Sequence, residues 1–171
     1  SVRRYIIMIC FTTLCFFGYL TAISFLYMEV YQATEALFSM LFAMNVVVFM
    51  AVSFFNTRVV VRFGSLSMIK GGWIVGVLAA SGLLAVNLQG MGLYWTAAML
   101  SILLGSIVLI STNADALILL EFSEQTGTAT GVIGTLRFGF GALAGPILAL
   151  FYDGSALPFC YLMMFVMLGV F

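Results

Sequence analysis

The chain has 171 residues, 64% of them hydrophobic and 7% charged, and a mean hydropathy of +1.24. A soluble domain of this size cannot cover so much apolar side chain, so the solvent for most of the molecule is a lipid bilayer. Six basic residues balance six acidic ones and histidine is absent, which leaves no basic surface for nucleic acid and removes the commonest general base and metal ligand.

A helix needs about 20 apolar residues to cross the hydrocarbon of a bilayer, and on that ruler the sequence divides into six runs. The first covers 5–27 and is too long for a signal peptide. A polar patch, "MEVYQATEA", follows with Glu29 and Glu35. The second run covers 37–55 and gives way to "NTRVVVRFGS", read as a basic loop holding Arg58, Arg62 and Gly64. The third covers 68–87 and ends before the turn "LQGMG". The fourth covers 93–120, long enough to require tilt. After "EFSEQTG" the fifth covers 128–151. The sixth, 157–171, measures ~22 Å at 1.5 Å per residue and is expected to be a truncated span, since the chain begins at Ser1 rather than Met and ends in an apolar run.

Short connections make neighbouring spans antiparallel. Arg3, Arg4, Arg58, Arg62 and Lys70 then fall on one side, and the opposite loops carry Glu29, Glu35 and Asp153 with no Lys or Arg. The positive-inside rule puts the N-terminus in the cytoplasm. Cys10, Cys15 and Cys160 lie in apolar runs without a CxxC spacing, so packing is expected of them rather than a zinc site or disulfide framework. No metal or cofactor is expected.

The fifth run contains "GTLRFGFGALAGP". On a helix, Gly127, Gly131, Gly134, Gly141 and Gly145 share one face roughly 80° wide, and two of their pairs have the small-xxx-small spacing of close helix packing. The stripe serves either tight static packing or a face over which a neighbour slides. Pro146 removes a hydrogen bond and bends the axis in the second half of the span. Arg137 lies about 80° from the stripe, deep enough that its charge requires water or a partner. It either faces a polar cavity or clamps two helices. Asp115 on the fourth span is its expected partner, at a shallower depth.

Asn113 and Asn45 are further polar groups within spans, and the placement of Asn45 hints at a repeat of three-helix units. Tyr19, with Phe16 and Phe17, either lines a pocket or packs. Tyr5, Tyr94, Trp95, Tyr152, Tyr161 and Trp73 are expected at the membrane interfaces. The methionines either form an adaptable pocket wall or fill the core.

Several segments together resemble a known family. "YMEVYQATEALFSMLFAMN" (27–45), "NTRVVVRFG" (56–64), "NADALIL" (113–119) and "GTATGVIGTLRFGFGALAGP" (127–146) occur in the order and spacing of the C-terminal six-helix half of a major facilitator superfamily transporter, nearest to the Bcr/CflA-type drug:proton antiporters. The chain departs from that pattern in three places. "AISFLY" lacks a proline, the basic loop lacks the Asp of the better-known N-terminal motif, and Arg137 stands where relatives often carry Gln. A fixed positive charge there would favour anionic or zwitterionic compounds, or act as a switch.

The resemblance implies an all-α integral membrane protein, half of a fold built from two three-helix inverted repeats. It further implies a multi-pass protein of the bacterial inner membrane that exports small amphipathic molecules in exchange for protons by alternating access. Its partners would be lipid, substrate, protons and the N-terminal half, with a homodimer of isolated halves as another possibility. Asp115 suits a gate better than a central proton site. The competing readings are a six-span scaffold without transport of its own and a small channel. A membrane enzyme fits least, because no paired intramembrane acids or nucleophile motif are present.

Overall fold

The computed structural model describes residues 2–171, all in helices and short connections. Helix α1 (Val2–Ser24) continues as a π-helical turn, Phe25–Val30. Next come α2 (Glu35–Phe63), α3 (Ser65–Leu88) and α4 (Leu93–Glu121). A 3-10 turn at Ser123–Gln125 leads into α5 (Thr126–Ala142), α6 (Ala144–Leu150) and α7 (Leu157–Gly169). Five spans are long and apolar enough to cross a membrane: Val2–Val30, Glu35–Phe63, Ser65–Leu88, Leu93–Glu121 and Ser123–Leu150. The sixth, α7, is apolar and shorter, at 13 residues.

Local chemistry sets the boundaries. Thr34 caps α2, its hydroxyl accepting from the Leu37 amide at 3.3 Å, and Glu35 adds favourable charge to the first turn. Gly64, at φ 77° and ψ 156°, is the whole connection between α2 and α3, in a region of backbone space reserved essentially for glycine. This corrects the reading of Arg58 and Arg62 as loop residues. Both lie on the last turns of α2, over the rings of Phe54 and Phe63 respectively, because the run of valines between them continues the helix without a breaker.

The axis of the fifth span breaks at Leu143, whose amide bonds to Phe140 O, three residues back. Pro146 supplies the reason: it offers no donor to the carbonyl of Ala142, so the ladder is interrupted where the second half of the span was expected to bend. At the far loop, Ser155 donates from its amide and hydroxyl to Asp153 Oδ1 at 2.9 and 2.7 Å. The Ser155 hydroxyl in turn accepts from Leu157 N at 3.2 Å, which starts α7.

The principal helix contacts form a symmetric set. Helix α1 packs on α4, α1 on α5 as α4 on α2, α3 on α4 as α7 on α1, and α3 on α7. Exchanging the first three spans for the last three maps this set onto itself, as two three-helix repeats require. Ile6 on α1 shares a hollow with Ile118 and Thr128, while at the opposite end Phe25 meets the ring of Tyr152 at 5.0 Å. Neighbouring spans are therefore antiparallel, and Arg3, Arg4, Arg58, Arg62 and Lys70 gather at one end of the bundle.

Burial is uneven. In the α1 and α4 spans 61% of the most apolar stretch is buried, but in the α2 and α5 spans only 11%. The centre of the bundle is thus α1 and α4, and α2 and α5 stand at its flanks with broad uncovered faces. Helices α3 and α4 approach each other closely. A Cβ added at Gly72 would meet Leu109 Cβ at 3.0 Å and Ser106 O at 3.2 Å, and one at Gly76 would meet Ser106 Oγ at 2.6 Å. Here the small-xxx-small motif packs against a neighbour within the chain.

A polar, aromatic-walled centre

The antiparallel register brings particular residues to one level. Phe16, Phe49, Ile107 and Arg137 each stand at the middle of their spans, and all four line one cleft of about 270 Å³ together with Thr13 and Phe138. Helices α2 and α5 form its sides, and α1 and α4 form its floor. Four rings run across it in sequence: Phe49 to Phe16 at 6.1 Å, Phe16 to Phe17 at 6.0 Å, and Phe17 to Phe138 at 6.1 Å between centroids.

Arg137 and Asp115 are brought together. Arg137 Nη2 donates to both carboxylate oxygens, at 2.8 and 2.7 Å, with the two side chains 33% and 30% exposed. The difference in depth anticipated from the sequence is closed by helix geometry. Side chains lean toward the N-terminus of their helix. In this antiparallel hairpin Arg137 leans toward the end where Asp115 sits, and Asp115 leans back toward the middle. Both bonds leave from Nη2, and the buried Nε has no acceptor among the described residues.

Asn45, Asn113 and Tyr19 occupy different positions from Arg137: all three are buried. Asn45 Nδ2 donates to the Tyr19 hydroxyl at 3.0 Å, and the Ser101 hydroxyl donates to Asn45 Oδ1 at 2.5 Å. This group ties α1, α2 and α4. Asn113 Nδ2 donates to Asn56 Oδ1 at 2.8 Å and to Leu109 O at 2.7 Å, a second tie between α2 and α4. The ring of Tyr19 stacks on Phe42. In this structure these residues hold helices together and none of the three lines the aromatic cleft.

The glycine stripe of α5 divides. Gly141 lies against Phe17, where a Cβ would sit 2.7 Å from the ring, but Gly127, Gly131, Gly134 and Gly145 have no atom within 4 Å of an added Cβ. Gly127, Gly131 and Gly134 thus have open space beside them, and Gly145 borders a hollow shared with Ala22, Phe25 and Phe159. Trp73, expected as an interface anchor, instead donates from its indole nitrogen to Met167 O at 2.9 Å and packs on Phe171, pinning α3 to α7. Tyr94, Trp95, Tyr152 and Tyr161 are exposed near the helix ends, as an interfacial belt requires. Tyr5 is partly buried against the core.

Three features escaped the sequence reading. Asn56 is buried opposite Asn113, and only its position about three turns beyond Asn45 on one apolar helix could have marked it. Tyr31, Asn87 and Thr96 form a cluster at the other end, with Tyr31 Oη 2.5 Å from Asn87 Oδ1 and 2.9 Å from Thr96 Oγ1. Burial pushes the Tyr31 hydroxyl above its ordinary range, opposed in part by the Thr96 bond. The third is the Gly72 and Gly76 pair already described.

These features define a multi-pass, all-helical integral membrane protein with a polar centre at the middle of its spans. The chain is 30% identical over 147 residues to the Bicyclomycin resistance protein homolog of Haemophilus influenzae, a match covering 86% of this chain and 37% of that protein. No family model and no solved structure matches it. That match agrees with the resemblance carried by the motifs, and the chain spans well under half the length of this curated relative.

Proposed function

We propose that the chain is the C-terminal half of a secondary active transporter that exports small amphipathic molecules or drugs in exchange for protons. The observation that carries this reading is Arg137, a third exposed and paired with Asp115, lining an aromatic cleft at mid-span between two helices whose outer faces are uncovered. A charge pair at that depth is costly unless it serves a polar path or a partner. The relationship to a bicyclomycin resistance protein homolog supports export of a drug-like solute.

In this reading a second six-helix half covers α2 and α5, and substrate sits between the halves. Rocking of the halves exposes the cleft to either side in turn. The open glycines of α5, Gly127, Gly131 and Gly134, offer the smooth face across which the other half moves, and Asp115 acts as a gate by holding Arg137. The basic end, with Arg3, Arg4, Arg58, Arg62 and Lys70, faces the cytoplasm of a bacterial inner membrane.

The test is a chimera in which residues 1–171 replace the matching segment of the Haemophilus influenzae relative. Bicyclomycin resistance of cells carrying the chimera is measured beside Arg137→Gln in the same background. Resistance that is lost or changed in range by Arg137→Gln, at unchanged membrane level, supports the reading. A chimera that inserts normally but gives no resistance to any compound tried favours the scaffold.

A further inference from the structure

The transport reading leaves open what chemistry the cleft selects, and the geometry at Arg137 bears on it. A lone arginine at mid-span would attract anionic or zwitterionic compounds, one of the two roles the sequence left open for it beside that of a switch. The structure pairs that charge. Asp115 takes two bonds from Nη2, so the pair as a whole is neutral, while Nη1 makes no hydrogen bond among the described residues and Nε is buried without one. Among the described residues Arg137 is the one ionisable group in the cleft lining, with Asp115 reaching it from beside the cleft; the rest are the Thr12, Thr13 and Ser111 hydroxyls, Ile107 and the aromatic rings. An added anion would compete with Asp115 for Arg137 and leave one carboxylate unpaired. An added cation would do the same to the guanidinium. Either outcome strands a charge in a mostly apolar site, which is strongly unfavourable. A neutral acceptor, by contrast, takes a free N–H without disturbing the pair.

We infer that the cleft between α2 and α5 binds an uncharged ligand with a flat apolar or aromatic body and a carbonyl-type acceptor. The rings of Phe16, Phe17, Phe49 and Phe138 hold the body, and the free Nη1 N–H groups of Arg137 hold the acceptor. Asp115 thus acts as a specificity-determining residue, because it removes the anion preference that Arg137 alone would confer. The inference rests on the transport reading for its biological meaning, though binding itself can be measured without transport.

The test uses the 171-residue chain in lipid nanodiscs and three probes sharing one ring system: 2-naphthamide, 2-naphthoate and 2-naphthylmethylammonium. Binding is followed by naphthalene fluorescence, and folding of every variant by circular dichroism. The wild type is expected to prefer the amide. Asp115→Asn shifts preference toward the naphthoate and Arg137→Gln toward the ammonium, each by about tenfold, the ratio that 1.4 kcal/mol represents. The double variant Asp115→Asn/Arg137→Gln returns to the amide with weaker binding, and Phe49→Leu weakens all three probes alike.

A wild-type preference for naphthoate, an order unmoved by either charge substitution, or no saturable binding by a folded wild type overturns the inference. A lipid chain filling the cleft would give the third of these results. Probe binding as expected, in a protein whose chimera confers no resistance, would sink the transport reading and leave this one standing.

Discussion

Asn45→Leu separates a structural tie from a transport path. Leucine keeps the branching at Cγ and fills nearly the same space, so the cavity contribution is small. The substitution removes two bonds between helices, one to Tyr19 and one from Ser101. Such bonds within membranes average about 0.6 kcal/mol and reach about 1.7, which gives about 1.2 kcal/mol and at most about 3.4. The Tyr19 hydroxyl, on a residue only 3% exposed, is left without a partner, and a stranded buried group costs about 1–3 kcal/mol. The Ser101 hydroxyl, with one proton to give, turns to Ala97 O, and the added apolar contact of leucine offsets part of the loss. A net destabilisation of about 1–3 kcal/mol is therefore expected. Equilibrium unfolding in bicelles measures it, with Tyr19→Phe and the double variant closing a cycle whose coupling should lie near 0.6–1.7 kcal/mol. A change below about 0.5 kcal/mol with no coupling would refute the tie. Unchanged stability with altered probe binding would return Asn45 to the substrate path.

The two glycine-rich faces should respond differently. Gly76→Ala must displace Ser106 or Met167 and is expected to cost about 1–3 kcal/mol as an overpacked contact. Gly131→Ala, with open space around it, should leave unfolding of this chain within about 0.5 kcal/mol; loss of resistance in the chimera would then show that the face is used between halves. Gly64→Ala places a side chain at φ 77° and should cost about 1–3 kcal/mol through backbone strain alone, with Gly64→Asn no better than partial relief. Finally, the Ser155 bonds, side chain first, hold the Asp153 carboxyl below its ordinary value of 3.8. Its folded-state pKa is depressed, so the turn is favoured above pH 3.8 and loses that support as pH falls through the lower folded value. Hydrogen exchange at Ser155 and Leu157 should accelerate over that window and should not do so in Asp153→Asn, where the carboxylate is already absent.

The amino-acid sequence by itself determined the medium, the number of apolar runs and their alternation. Those follow from composition and run length, which are local quantities. It also located the Pro146 break, because loss of an amide acts within one turn, and it paired Arg137 with Asp115, because a hairpin leaves few partners for a deep charge. It misplaced the end of the second span because the valines between Arg58 and Arg62 are as compatible with helix as with loop. Only the single Gly64, in a backbone region closed to other residues, decided where α2 stops.

What only the tertiary structure decided is which face meets which neighbour. The Gly72 and Gly76 pair and the stripe on α5 carry the same spacing, yet the first is packed against α4 and most of the second is bare. Spacing defines a face but says nothing of what lies opposite. In the same way, Asn45 and Arg137 look alike as polar residues in apolar runs. Their roles diverge because crossing helices surround one with a hydroxyl on either side and leave the other a third exposed beside four rings.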